Sequence, residues 1–566
     1  MSDKTELCNF EKEIDDKIAQ SPIFQLPLRS VLTNFFGTID YLMQSGRFGR
    51  NISKGQADGE TLISRLSYLI PFLKNCTLEI GNSAIDAISA IEKDKDVEEL
   101  AQILSYAHFC QLMPEVHRGY YKVQKTSEGF ELIHSSEQFA KYEEYDIILT
   151  DLSLAFATNK SPSNINPIFI PLALNLPNIE LNSMLEVLKY LFNYRLYDFR
   201  EMPLLESKAF QISVGVNWDE FCKIRSALIA YADFSIGIAN ALEFLWKREN
   251  NSVRQEEISN EFLEWIAVWH DKFFFIGLLT ELTGVNDSAF ETILKFFSVD
   301  VSNNSFNLDG EGFFPPLLNY EKSYLFSPYI IRLMLHTRNI LYVINKRNPT
   351  MFNNIVSQYL EPTLLEQALC IFKKISNLEI ISNQNWSNGE LRGEFDLLVY
   401  QPTSNVVLHI QAKASIPPQG ARMTQAIETR SIEGIEQLNR FQNLPQHERD
   451  RVLSDILRTP IKEVHSVSVL LCRSGIGTES VWKLVNDITV VNLQLLNGVI
   501  EYLIKNNLSL VEFKNIADNL LADIYKKSIL GWEQGTISLY GTVIQMPLLR
   551  LNYEEIHKTT IRLSPI

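Results

Sequence analysis

Gly393-Glu394-Phe395-Asp396-Leu397-Leu398-Val399-Tyr400, then Pro402-Thr403-Ser404-Asn405, then Val406-Val407-Leu408-His409-Ile410-Gln411-Ala412-Lys413 decide how this chain is read. Two alternating apolar runs flank a four-residue turn, which predicts a β-hairpin. On the first strand Glu394, Asp396 and Leu398 fall on one face, and Phe395, Leu397 and Val399 on the other. On the second, His409, Gln411 and Lys413 oppose Leu408, Ile410 and Ala412. The alternation therefore predicts an acid, an amide and an amine together on one side of a hairpin buried on its other side. Such a set suits metal-dependent phosphodiester chemistry.

The surrounding sequence supplies a frame for that hairpin. A helix is predicted from about Pro362 to Ile375, with Thr363 as its cap and Glu366 at capping-box spacing. Pro417-Pro418 stops the second strand. From Thr424 to Phe441 a helix carries Ile427, Ile435, Leu438 and Phe441 on one side, with Glu433, Glu436, Gln437 and Arg440 opposite. A strand at 464–472, a Gly475-Ile476-Gly477 loop, a helix around Val481, a strand at 488–491 and a helix from Leu493 to Ile504 follow. The order α-β-β-α-β-α-β-α predicts a mixed sheet covered by helices.

Across about 360–505 this order resembles the PD-(D/E)XK nuclease superfamily, the fold of many restriction enzymes and junction resolvases. Gly393-Glu394-Phe395-Asp396 is similar to the Gly-Glu-Ile-Asp start of the resolvase-like branch, and Gln411-Ala412-Lys413 to the Gln-x-Lys variant of Mrr-type enzymes. The proline that usually precedes the acid is absent. The resemblance implies a restriction-endonuclease-like domain, a Mg²⁺ (or Mn²⁺) cofactor and DNA as partner, in prokaryotic restriction or anti-phage defence. It also implies that Glu366, on the helix before the hairpin, joins the site, and that Gln437 matches the polar residue kept on the later helix in some branches.

The chemistry assigns roles. Mg²⁺ takes hard oxygen ligands and keeps several waters. Asp396, the side-chain oxygen of Gln411, the backbone carbonyl of Ala412 and Glu366 are the candidate ligands, and Lys413 would orient the attacking water. Glu394, His409 and Gln437 are accessory candidates, and Arg422, Arg430 and Arg440 are candidate contacts to nucleic acid. Ordinary readings stand beside these. Asp396 and Lys413 form a plausible cross-strand pair, Glu366 a helix cap, His409 a satisfied core histidine, and Gln437 a solvated helix residue. Gln411 carries no charge, which leaves open a catalytically weak, nuclease-like protein that only binds nucleic acid or a partner.

With 566 residues the chain exceeds one ordinary core. Its organisation is predicted as multidomain: a mainly α-helical region at 1–300 serving as sensor or interaction module, a mixed segment at 301–358, the α/β domain at 359–505, and a helical and extended extension at 506–566. Helical spacing appears at Leu62, Leu66, Leu69, Ile70 and Leu73, and again at Phe262, Ile266, Trp269 and Phe273. Gly46-Arg47-Phe48-Gly49-Arg50, continuing to Lys54, combines bases, glycines and an aromatic, as an exposed loop or a strand grip would. The longest apolar run, Phe273–Leu279, falls short of a membrane span, so no membrane partner is predicted. Met1-Ser2-Asp3-Lys4 starts no secretory signal, and six scattered cysteines without Cys-x-x-Cys spacing suit a reducing cytoplasm. The net charge of −16 speaks against nonspecific DNA binding. Yet 361–505 holds sixteen acids and fourteen bases, net −2, so most of the excess lies elsewhere. The helical region leaves room for a protein partner or a second copy of the chain.

Overall fold

Alternating apolar residues at 397–401 and 406–410 place two antiparallel strands at the centre of a five-stranded mixed sheet. The computed structural model describes residues 2–44, 62–77, 94–154, 166–176, 180–197, 203–301, 315–418 and 421–565. In spatial order the sheet runs from the fifth strand (Thr489–Val491) through the fourth (His465–Cys472), the lysine strand (Val406–Lys413) and the acid strand (Leu391–Gln401) to an edge strand (Glu379–Asn388). The lysine, fourth and fifth strands are parallel to one another, and the acid strand is antiparallel to both neighbours. Asn405, in the left-handed region at φ 50°, closes the turn between the acid and lysine strands.

The edge strand has no counterpart in the sequence reading. Of its ten residues only Trp386 is buried, so it shows no apolar alternation.

Helices cover both sheet faces. One face presents Leu397, Val399, Leu408, Ile410 and Ala412 to the large core, which also takes in Leu364, Ala368 and Ile371 of the leading helix (Ser357–Phe372) and Leu495 and Val499 of the closing helix (Leu493–Lys505). The other presents Phe395, Leu398, Tyr400 and Val407 to a separate cluster with Phe441, Leu444, Val452 and Leu453. These come from the covering helix (Ala421–Gln442), from the turn after it, which holds Leu444, and from a helix at Gln446–Leu457 that the sequence reading lacks. Ile427, Ile435, Leu438 and Phe441 are all buried, as their spacing predicts.

The leading helix begins five residues before Pro362, continuous with a π turn at Phe352–Val356. Thr363 is therefore inside the helix rather than at its cap: its hydroxyl donates to the Tyr359 carbonyl at 2.7 Å and accepts from the Glu206 N–H at 3.1 Å.

The N-terminal part is mainly helical, with short strands among the helices. Trp218–Trp246 is buried on nearly all sides between Ile224 and Leu242, where helices 181–197, 252–266, 166–174 and 328–334 pack on it. It is the one helix among the described residues long and apolar enough to cross a membrane, and 78% of its apolar window is buried within the protein. The helical pattern from Phe262 to Phe273 breaks: a strand at Val268–Asp271 interrupts it, and Asp271 caps the next helix by accepting from the N–H groups of Phe273 and Phe274. Short strands at 317–320 and 323–326 follow, as the segment after Phe313-Phe314 suggests. The loop at Gly46–Lys54 lies outside the described residues.

Strands far apart in the sequence meet in a second sheet. The hairpin Ile529–Leu539/Thr542–Leu551 adds in parallel to the strand Gly129–His134, with Val543 opposite Gly129. Any Cβ at Gly129 would stand 2.1 Å from the Val543 carbonyl oxygen, so only glycine allows the approach. The helix Glu137–Leu154 joins this sheet to the α/β unit. Glu144 accepts from Trp532 Nε1 at 2.7 Å and from the Tyr525 hydroxyl, while the Leu149 carbonyl accepts from Asn492 Nδ2 at 2.8 Å.

Candidate functional site

The site begins where the ladder between acid and lysine strands stops. Pairing runs from Gln401↔Val406 to Leu397↔Ile410 and ends there. One residue further on, the Asp396 carboxylate takes over the role of a backbone acceptor: its Oδ2 accepts the Ala412 N–H at 2.7 Å. On the other side, the ladder to the edge strand omits the pair Asn383/Asp396, and Asn383 sits at φ 52°. This interruption has a consequence for the faces. Phe395 turns to the same side as His409 and Gln411, packing edge-on to the His409 ring at 4.6 Å, whereas strict alternation puts it opposite them. Asp396 is thereby set in the gap between strands, half-buried beside Lys413.

Burial pushes the Asp396 carboxyl up to about 6, against the pull of Lys413 and the Ala412 N–H; Glu361 and Glu394 add to the rise. The helix acid that acts on Asp396 is thus Glu361. Glu366 is exposed. Five helical residues turn the chain by roughly 140° about the axis, so the two acids leave the leading helix in different directions.

Gln411 is wholly buried. Its Nε2 donates to the Glu394 carbonyl at 2.6 Å, which fixes the amide orientation, and its Oε1 is buried with no hydrogen-bond partner. An unpartnered buried amide oxygen is a costly arrangement by itself. It is the arrangement an oxygen-seeking divalent cation relieves. The donor set of Asp396, Gln411 Oε1 and the Ala412 carbonyl contains only hard oxygens, which fits Mg²⁺ or Mn²⁺.

Lys413 is half-buried at the end of its strand, paired in register with Cys472. The covering helix passes its stem at Gly434, where an added Cβ would lie 3.1 Å from both Cγ and Cε of the lysine and 2.9 Å from Leu470 Cδ1. One turn along, Gln437 is half-buried with its Oε1 out of solvent and unpartnered. The same helix ties down the chain beyond the lysine: Arg430 Nη1 donates to the Ala414 carbonyl at 3.0 Å.

Other predicted residues sit apart from the site's open side. His409 is fully buried between Phe395 and Phe441, and burial depresses its pKa to about 3, so it is a neutral core histidine under the site. Its Nε2 lies 3.4 Å from Gln411 Nε2. Glu394 is exposed and contributes its backbone carbonyl. Arg440 is exposed near the far end of the covering helix, and the side chain of Arg422 lies outside the described residues.

Sequence reasoning missed Glu361 and Gly434. No apolar period marks either; the helix start and the close approach to Lys413 are what expose them.

Comparison of the chain with protein-family models, with curated proteins and with solved structures finds no match.

Proposed function

We propose that residues 357–505 form a restriction-endonuclease-like domain of the PD-(D/E)XK type, and that the protein is a metal-dependent endonuclease hydrolysing phosphodiester bonds of DNA. The reading rests above all on the buried, unpartnered Oε1 of Gln411, two positions before a lysine on the same strand, with the Asp396 carboxylate bound to the N–H of the intervening Ala412. The mixed five-strand order, with the acid and lysine on adjacent central strands, supports it. The setting we infer is prokaryotic restriction or anti-phage defence, with the helical part as sensor or regulator.

Asp396, Gln411 and the Ala412 carbonyl would hold the cation, with Glu361 rather than Glu366 as the helix acid near them. A bound divalent ion supplies charge neutralisation at the phosphate and a more acidic water. Asp396, anchored by the Ala412 N–H, keeps its carboxylate in one place without rearrangement. Lys413 places an ammonium beside that carboxylate, where it orients the attacking water by hydrogen bonding and stabilises negative charge developing on the phosphate. Gln411 brings no charge, so the site depends on few acids and binds its ion loosely.

Cleavage of supercoiled plasmid by the purified protein, with Mg²⁺ or Mn²⁺ against EDTA and with Lys413→Ala alongside, tests the proposal. Nicking that requires metal and vanishes in the variant upholds it. Metal binding without nicking, under any divalent ion, favours instead a nuclease-like protein that binds nucleic acid or a partner.

A further inference from the structure

A second buried cation stands at the carboxyl end of the sheet, and no acid accompanies it among the described residues. Arg473 directly follows the fourth strand, one residue past the Cys472↔Lys413 pair, and is 6% exposed. Its Nη1 donates to Gln367 Oε1 at 2.8 Å, while Nε and Nη2 are buried without a partner. Gln367 is held in turn, its Nε2 donating to the Pro203 carbonyl at 2.9 Å. Ser474, fully buried, also carries an unpartnered hydroxyl. No ion pair to Arg473 exists among the described residues, and burial alone draws its pKa down, to about 10.

A buried guanidinium without a counter-charge costs several kcal/mol. The nearby loop does not compensate: the N–H of Gly475 goes to Thr150 Oγ1, and those of Ile476 and Gly477 go to Asp146. What remains open is one edge of the guanidinium, Nε with Nη2, the fork that grips two oxygens of one anion. The place is also the usual one for ligands of open α/β sheets, beyond the carboxyl ends of neighbouring parallel strands.

We propose that Arg473 and Ser474 bind a tetrahedral oxyanion of the phosphate class, with Gln367 orienting the guanidinium. The proposal concerns anion binding and does not depend on cleavage. Two sources offer this chemistry, a free phosphate or phosphomonoester and a phosphodiester of DNA. The deep burial of Arg473 favours the small anion.

The test measures the Tm of the full-length protein in chloride, and in about 20 mM inorganic phosphate at equal ionic strength. Wild type, Arg473→Met and Arg473→Lys are compared, all in EDTA so that the metal site plays no part. Phosphate should raise the wild-type Tm by about 2 °C or more and leave Arg473→Met unmoved. In chloride, Arg473→Met should match or exceed wild type, since a lone buried charge has been removed. Should the methionine variant fail to fold, Arg473→Lys keeps the charge without the fork, and its phosphate response should be at least halved. A short DNA duplex in place of phosphate identifies the source: an Arg473-dependent rise with duplex alone assigns the site to a backbone phosphodiester, and one with phosphate alone to a free anion. No rise with either, or an equal rise in the methionine variant, overturns the proposal.

Discussion

Gly434 lies directly against Lys413: a Cβ at this position would stand 3.1 Å from both Cγ and Cε of the lysine, with Leu470 Cδ1 closer still at 2.9 Å. The glycine is at an ordinary helical position, so its lack of a side chain serves packing rather than backbone freedom. Gly434→Ala should therefore push the lysine stem aside while improving helix propensity by up to about 1 kcal/mol. We expect plasmid nicking to fall about tenfold or more with a Tm within a few degrees of wild type, and Gly434→Val to lose more. Wild-type nicking in both variants would separate Lys413 from the chemistry.

Lys413→Ala and Asp396→Ala should each abolish cleavage. They differ in their effect on metal: the first should leave Mn²⁺ binding within a few-fold, because no ammonium is a ligand, while the second should remove it. Titration of Mn²⁺ monitored by calorimetry distinguishes the two.

Gln411→Glu is the sharper probe of the amide. In the native orientation Nε2 donates to the Glu394 carbonyl, so a carboxylate there would face that oxygen and lose a donor. In EDTA the variant should be less stable by about 1–3 kcal/mol. In Mn²⁺ it should bind the ion more tightly than wild type and recover stability. Weaker metal binding in Gln411→Glu would remove Gln411 from the ligand set.

Much of this arrangement was legible in the residues, because the hairpin's alternation from Leu397 to Val407 obeys simple pleat geometry. Legibility ended where geometry departed from the ideal. Asn383 in the left-handed region and the missing pair at Asp396 turn Phe395 to the His409 side, which no period-2 count anticipates. The edge strand was hidden by its own exposure, since Glu379 to Asn388 bury one tryptophan and otherwise show polar residues. Pro362 reads as a helix start, yet the helix enters from a π turn upstream and so brings Glu361 into it as well. The joining of these two strands was beyond local pattern, since 129–131 and 543–545 are far apart in sequence.

Asp146 provides a pH prediction remote from the metal ligands. Its half-buried carboxylate accepts from the N–H groups of Ile476 at 2.6 Å and Gly477 at 2.8 Å and from Trp482 Nε1 at 3.2 Å, with Glu428 of the covering helix and the Cys472 thiol of the fourth strand nearby. Burial pushes its pKa up to about 7, from an ordinary 3.8, outweighing those donors. Between these values the folded chain keeps a proton that the unfolded chain has lost. Stability from this group is thus full below about pH 4, falls as pH rises, and levels off above about pH 7, by at most roughly 1.4 kcal/mol per pH unit. Asp146→Asn keeps an acceptor oxygen and removes the titration. Its Tm should equal wild type near pH 4 and exceed it at pH 8; parallel Tm–pH curves for the two proteins would refute the assignment.

The helix that carries Asp146 also bears on whether residues 357–566 can stand alone. From 137–154 it supplies the Asp146 carboxylate to the loop after the fourth strand, the Leu149 carbonyl to Asn492 and the Glu144 carboxylate to Trp532 and Tyr525. Gly475 is shaped for it: an added Cβ would meet Asp146 Oδ2 at 2.2 Å. Removing residues 1–356 would leave the N–H groups of Ile476 and Gly477 without their acceptor and strip one partner from the hairpin 529–551. Water can satisfy those freed N–H groups, but the truncation also uncovers the apolar surface that Ile148, Leu149 and Leu152 now bury, a loss large against the marginal stability of a domain. A fragment of residues 357–566 should therefore show a broadened, non-cooperative thermal transition and little nicking, whereas a fragment beginning at about residue 94 should melt cooperatively. Cooperative melting and full cleavage by the shorter fragment would mean that the helix is an accessory to the α/β unit rather than part of it.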